Sequence, residues 1–119
     1  MTPITSFRQL DAWQVSMSLV DAVLATTRLL PRVEFDLKRQ INRAAISIPS
    51  NIAEGWKRKG RRLAYQNHVS IAMGSQAELE TQLEICFRNH LLDPAKCPDT
   101  IALLSRVDKL IERLHDALY

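Results

Sequence analysis

The chain has 119 residues, of which 46% are hydrophobic and 24% are charged, and its formal net charge is +3. This length and composition are typical of one globular domain with a single buried core. No apolar run reaches the ~20 residues that span a bilayer, and the N-terminus lacks a secretory signal pattern. We therefore predict a cytoplasmic protein with one domain over residues 1–119, no membrane partner, and two free thiols, Cys86 and Cys97.

The first predicted element is a helix over residues 9–30, which ends ahead of Pro31 because proline disfavours helical geometry in the residue before it. Phe7 and Ile4 precede this helix as an apolar cap. Its predicted core seam consists of Leu10, Trp13, Met17, Val20, Leu24 and Thr27. Leu19, Val23 and Leu30 broaden this seam to the width of a bundle helix.

A second helix is predicted from about Glu34 to about Lys57. Pro49 lies inside it, where proline removes one backbone hydrogen bond and crowds the preceding turn. Since the same apolar phase continues on both sides of Pro49, we predict a bend there and not a break.

A third helix is predicted over residues 61–90. Its predicted core positions are Tyr65, Val69, Ala72, Gln76, Leu79, Leu83 and Cys86. If the second and third helices pair antiparallel about Lys59, the small residues at 44–45 face those at 72–74. We expect a close approach of the two helix axes there, which would explain Gly74 in a helix interior.

The fourth helix begins at Pro98, a residue that suits a first helical turn. Its predicted stripe is Leu104, Val107, Ile111, Leu114 and Leu118. Four amphipathic helices with short connections predict an all-α, antiparallel, up-down-up-down four-helix bundle.

The sequence carries no pattern of a catalytic or metal site. Cys86, His90 and Cys97 lack a CxxC or HExxH spacing and a fourth ligand, and His68 and His115 are isolated. Glu78, Glu80 and Glu84 are interpreted as a solvated helix face. We predict a non-enzymatic protein without catalytic residues, metal or cofactor.

Asn51 and Glu54 are polar residues near an apolar stripe and have two interpretations. In the structural one they satisfy backbone groups freed by Pro49, or pair with a neighbouring helix, for example at Arg43 or Ser75. In the other they are binding residues.

The strongest functional signal is a cluster of cations after the second helix. Residues 38–62 hold eight Lys or Arg and one acid, a net charge of +7, whereas the whole chain carries +3, so the remainder sums to −4. The cluster is interpreted either as a solvated turn or as a surface for a polyanion, which would offset the repulsion of its charges. The predicted nucleic-acid-binding residues are Arg39, Arg43, Lys57, Arg58, Lys59, Arg61 and Arg62. Trp56 is expected to pack on the bundle and not to stack on a base.

Two segments carry a resemblance to a known family. QINRAAISIPSNIAEG (residues 40–55) and GSQAE (residues 74–78) resemble the four-helix bundle proteins encoded within intervening sequences of bacterial 23S ribosomal RNA genes. FRQLDAW (residues 7–13) and LPRVEFDLKRQ (residues 30–40) are similar to that family as well. The resemblance implies a ring-like homopentamer of antiparallel bundles. It also implies a relation to proteins that accompany reverse transcriptases in diversity-generating retroelements, where a basic surface binds nucleic acid. The matching positions, to which no catalytic role attaches, are Asn51, Glu54, Gly55, Gly74, Ser75 and Glu78.

The functional prediction is a homo-oligomeric bundle that binds RNA or DNA through the cationic turn. The alternative is a scaffold that binds a protein partner and no nucleic acid. Apolar residues on the first and fourth helices exceed what one small bundle needs, which also favours self-association.

Overall fold

Four α-helices make up most of the chain in the computed structural model, which describes residues 3–118. They are α1 (Asp11–Thr27), α2 (Phe35–Lys57), α3 (Arg62–Arg88) and α4 (Pro98–Ala117). Three short 3-10 helices, at Phe7–Gln9, Arg32–Glu34 and Pro94–Lys96, precede α1, α2 and α4. The predicted all-α four-helix fold is confirmed, since residues 3–118 contain no strand. In the same part of the chain, no helix combines the length and apolar character needed to cross a membrane.

The four helices form a square in which each helix packs on two neighbours. The main contacts join α1 to α2, α2 to α3, α3 to α4, and α4 back to α1. A side-chain hydrogen bond of 2.8 Å joins each of these pairs: Thr27–Asn42, Ser47–Ser75, Gln76–Leu104 and Thr26–Thr100. Because short connections link successive helices, each runs antiparallel to the one before it, and one continuous core lies between all four.

The face of α1 that enters the core agrees with the predicted stripe at Val20 and Thr27, which are buried, but not at Met17. Leu19 and Val23, predicted only to broaden the stripe, are fully buried at its centre, whereas Met17 of the predicted seam is 39% exposed. Trp13 and Leu24 are half-buried. The prediction was wrong at Met17 because apolar residues cover two adjacent faces of this helix, so periodicity alone did not place the centre of the stripe.

α2 is continuous through Pro49, as predicted. Pro49 is buried, and the turn around it gains side-chain donors: Ser50 Oγ donates to the Ile46 carbonyl at 2.8 Å and Asn51 Nδ2 donates to the Ser47 carbonyl at 2.9 Å. Such bonds compensate part of the backbone hydrogen bonding that proline weakens in a helix.

The core face of α3 agrees with the prediction at every position. All seven residues predicted to point inward are buried: Tyr65, Val69, Ala72, Gln76, Leu79, Leu83 and Cys86. Gln76 is buried, and its side-chain NH2 group has two acceptors: Nε2 donates to the Leu104 carbonyl (2.8 Å) and to Glu80 Oε1 (3.2 Å). In α4, Leu104, Val107 and Ile111 are buried as predicted.

The predicted close approach at Gly74 is wrong. Gly74 is exposed, and a Cβ atom built on it meets no other group within 4 Å. The tight contact between α2 and α3 lies at Gly55, where a Cβ would stand 2.9 Å from Tyr65 Cδ1 and 3.0 Å from His68 Cβ. The glycine that permits a close contact between the two helices therefore lies near the turn that joins them.

The C-terminus of α3 is closed by a residue in left-handed conformation. His90 has a φ of 58°, the Leu91 amide donates to the Cys86 carbonyl at 2.9 Å, and the His90 amide donates to the Phe87 carbonyl at 3.3 Å. This is the Schellman arrangement, in which glycine is the favoured residue at the position of His90.

Replacing His90 by glycine is expected to raise the free energy of unfolding by up to about 1 kcal/mol. Left-handed backbone costs a residue with a Cβ about 1–2 kcal/mol, and the greater freedom of glycine in the unfolded chain offsets part of this gain. Urea denaturation measures the change. His90→Ala is the control, because it keeps the Cβ and should bring no gain; equal stabilities of the two variants would contradict the assignment.

Candidate nucleic-acid interface

The cations predicted to bind nucleic acid centre on the basic elbow, residues 57–62, where α2 turns into α3. Backbone hydrogen bonds hold this corner: the Arg58 amide donates to the Gly55 carbonyl at 3.0 Å, and the Arg61 amide donates to the Arg58 carbonyl at 2.8 Å. A Cβ on Gly60 would meet nothing within 4 Å. The backbone from which these side chains project is thus fixed at both helix ends, while the side chains face solvent.

Three exposed cations of the basic elbow form no ion pair with an acidic side chain in the part of the chain that the structure describes. Lys57, Arg58 and Arg61 are exposed, and within residues 3–118 no ion pair involves any of them. Cations at the end of a helix favour its dipole, but this effect is confined to the last turn and is worth about 0.3–1 kcal/mol. It does not compensate the mutual repulsion of a whole cluster.

The other two cations of the basic elbow are engaged within the bundle. Lys59 Nζ lies 3.5 Å from the centroid of the Trp56 ring, a cation–π contact. Trp56 itself is buried, which agrees with the expectation that it packs on the bundle. Arg62 Nε donates a hydrogen bond to the Leu118 carbonyl at the end of α4. These two side chains therefore help to hold the corner against the bundle.

Arg39 and Arg43 are not part of the basic elbow. At the helical rise of 1.5 Å per residue they lie about 21–27 Å along α2 from Lys57. Arg39 also pairs with Asp36, Nη2 to Oδ1 at 2.7 Å, although both side chains are largely exposed. The structure thus divides the predicted cations into two groups at different heights of the bundle.

A polar seam between α2 and α3 lies next to the basic elbow. Asn51 Nδ2 donates to the Ser47 carbonyl, so Asn51 Oδ1 is the acceptor for His68 Nδ1, 3.1 Å away. This arrangement assigns the proton of neutral His68 to Nδ1. Glu54 Oε2 is 3.6 Å from the same nitrogen. The prediction that His68 is isolated is therefore wrong. Asn51 contacts Ser47 and His68, and Glu54 lies near His68; the predicted partner Arg43 is not among these contacts. The antiparallel pairing about Lys59 places residue 51 opposite residue 67, next to His68, which was the missed signal.

The buried titratable groups are held in their neutral forms. Burial raises the pKa of the Cys86 thiol, with a further contribution from Glu34, and burial and then Asp93 raise the pKa of Cys97. Burial also raises the pKa of Tyr65. A thiol needs a lowered pKa to act as a nucleophile or ligand at neutral pH. In the part of the chain that the structure describes, no three His, Cys, Asp or Glu side chains come together as a metal site.

Comparison with known proteins identifies the family of the chain. Residues 8–113, most of the sequence, match the profile of the 23S rRNA-intervening sequence protein family. The chain belongs to this family. Comparison with curated proteins gave no match.

In this 23S rRNA-intervening sequence family member, most positions of the shared motifs serve the contact between α2 and α3. Gly55 permits the close approach of Tyr65 and His68, and Asn51 binds His68. The Ser75 hydroxyl meets the Ser47 hydroxyl at 2.8 Å. These residues align the two helices that carry the basic elbow between them, whereas Gly74 faces solvent.

Proposed function

We propose that this protein is a non-enzymatic, self-associating four-helix bundle of the cytoplasm that binds RNA or DNA through the basic elbow. The observation that carries the proposal is the presentation of Lys57, Arg58 and Arg61. They are exposed together at a fixed helix corner, with no acid paired to them among the described residues.

Contacts of this kind are expected to be made with phosphates and not with bases. Lys and Arg side chains that neutralise phosphates release condensed counterions, and this term is independent of sequence. The aromatic ring nearest to the elbow, Trp56, is buried under Lys59 and is not presented for base stacking. We therefore expect little sequence preference. Additional phosphate contacts by Arg39 and Arg43 require a polymer that extends along α2 beyond the elbow.

The family supports the proposal in general terms. Its name refers to an intervening sequence of 23S rRNA, which is compatible with a nucleic-acid partner. A relation to the accessory proteins of diversity-generating retroelements is part of the proposal, as is assembly into a homopentamer. Light scattering at micromolar concentration tests the assembly, and a monomer would contradict it.

A gel shift with single-stranded RNA and duplex DNA tests binding. We expect a shift at ~50 mM salt that weakens strongly at ~200 mM, because counterion release dominates such complexes. Absence of any shift at the lower salt concentration would overturn the nucleic-acid proposal.

The alternative function is a scaffold for a protein partner. It is favoured by large apolar side chains on the surface, among them Phe35 at 64% and Ile46 at 47% exposure. Surface patches of this type mark interaction sites when they are contiguous. A scaffold would show no gel shift while retaining its fold, which distinguishes it from the first proposal.

A further inference from the structure

One side of the bundle carries a shallow apolar groove with a cationic rim, here called the basic groove. It consists of a depression of about 560 Å³ along α2 and one of about 370 Å³ between α1 and α2, which share Ile46. Met17 and Phe35 line it and are 39% and 64% exposed. Its cationic members are Lys38, Arg39 and Arg43. Met17, the residue of the predicted α1 seam that the core does not use, faces this groove.

Another side of the bundle carries a groove of opposite charge, here called the acidic groove. It lies between α3 and α4, has a volume of about 510 Å³, and includes Leu83, Phe87, Ile101 and Leu104 as apolar residues. Its charged residues are Glu80, Glu84 and Asp108. Arg88 donates to Glu84 at 3.3 Å, but this pair is exposed and leaves the groove with more acids than cations.

The two grooves lie on opposite sides of the bundle. Since α1 packs on α2 and α4, and α3 packs on the same two helices, the α1–α2 side is opposite the α3–α4 side. The grooves also lie at similar heights. Arg43 and Arg39 are about 21–27 Å from the elbow end of α2, and Glu80 and Glu84 are about 27–33 Å from the elbow end of α3.

We infer that the basic groove of one copy of this chain binds the acidic groove of a second copy. The inference rests on the self-association included in the proposed function and names its surfaces. Opposite charges on the two rims favour this pairing, and each rim repels a second copy of itself. The pairing covers apolar side chains that are exposed in the single chain: Met17, Phe35 and Ile46 of the basic groove and Ile101 of the acidic groove.

The geometry also determines the kind of assembly. An interface between two different surfaces is heterologous, so each copy keeps one groove for the next copy. Because the charged rims of the two grooves lie at similar heights, pairing them displaces successive copies little along the bundle axis. Heterologous contacts build a ring where the rotation between successive copies closes, and an open array where it does not. Arg39 and Arg43 are thereby assigned to contacts between copies, and the basic elbow stays at the open end.

Two variants that each disable one groove test the inference. Ile46→Glu places a carboxylate on the basic groove, where it would face the acids of the partner, and Ile101→Glu buries a carboxylate in the acidic groove. Both isoleucines are partly exposed, at 47% and 40%, so the single chain should keep its fold. Glutamate is used at both sites so that the two disabled grooves cannot rescue each other. Ile71→Glu, at a residue that is 44% exposed and lines neither groove, is the matched control.

Light scattering coupled to gel filtration gives the outcome, with circular dichroism to verify helix content. We expect the wild type and the Ile71→Glu variant to be oligomers, and each groove variant alone to have the mass of one chain. An equimolar mixture of the two groove variants should have the mass of two chains, because one intact interface remains in it. This heterodimer is specific to a heterologous interface.

Each contrary result has a distinct meaning. A wild-type monomer would overturn self-association together with this inference. An oligomeric wild type whose groove variants remain fully assembled would overturn the inference alone, since the copies would then meet through other surfaces. One monomeric and one assembled groove variant would indicate an interface of one surface with itself and would also overturn it. The gel shift of the wild type is measured separately, so nucleic-acid binding stands or fails independently.

Discussion

The Gly55→Ala variant is expected to unfold about 1–3 kcal/mol more easily than the Gly74→Ala variant. Both changes add one methyl group and bring the same gain in helix propensity, about 1 kcal/mol. At Gly55 the methyl would stand 2.9 Å from the ring of the buried Tyr65 and 3.0 Å from His68 Cβ, which is attached directly to the α3 backbone. Neither neighbour yields without a shift of α3, and overpacking of this kind costs about 1–3 kcal/mol.

Chemical denaturation of the wild type and the two variants measures this difference. Gly74→Ala should equal or exceed the wild type in stability, because its methyl meets open space. If the two variants have the same free energy of unfolding, the contact between α2 and α3 at Gly55 is looser than described. A Gly74→Ala variant less stable than the wild type would instead point to a contact of Gly74 in the assembled protein.

Replacing Lys57, Arg58 and Arg61 together by alanine should weaken nucleic-acid binding and flatten its salt dependence. Each cation that neutralises a phosphate contributes about 0.9 to the slope of log affinity against log salt on duplex DNA and about 0.7 on single strands. The triple variant should therefore lose up to about 2–3 units of slope, to a similar degree on all sequences. Stability should stay within about 0.5 kcal/mol, as is usual for surface substitutions. Titrations at several salt concentrations measure the slope.

A matched control removes three cations from the other end of the bundle. Arg28, Arg32 and Lys96 are exposed near the connections opposite the basic elbow, and their replacement by alanine changes the net charge by the same amount. If this control flattens the slope as much as the elbow variant, binding depends on overall charge and not on the elbow. If neither variant changes a measurable slope, the bound polymer lies elsewhere on the protein.

The sequence predicted the helices well and the partners of individual side chains poorly. The bounds of α2 and the inward face of α3 followed from apolar spacing, and in α2 one face is clearly more apolar than the other. For α1 the same reasoning failed at Met17, which lies beside the buried Val20 on the apolar surface of this helix but faces the α1–α2 side and stays exposed. A helix with two apolar faces does not reveal which one is covered by its own chain.

The candidate site was predicted as a charge cluster, and the structure divides that cluster by geometry. Counting cations could not separate Lys59 and Arg62, which contact Trp56 and Leu118, from Lys57, Arg58 and Arg61 beside them. The contact of Arg62 joins residues that are 56 positions apart, so no local pattern reports it. The glycine at the close approach was also misassigned, because Gly55 and Gly74 both lie in helices and only the neighbouring side chains distinguish them.

The short turn between α2 and α3 has a consequence for the order of folding. Closing the loop of residues 58–61 restricts few chain conformations, so the α2–α3 hairpin can form early, before the termini are brought in. The hydrogen bonds between His68 and Asn51 and between Ser47 and Ser75 lie within this hairpin and align its helices. We expect α1 and α4 to dock on a hairpin that is already in register. Nascent chains would then assemble the cationic corner before the last helix leaves the ribosome.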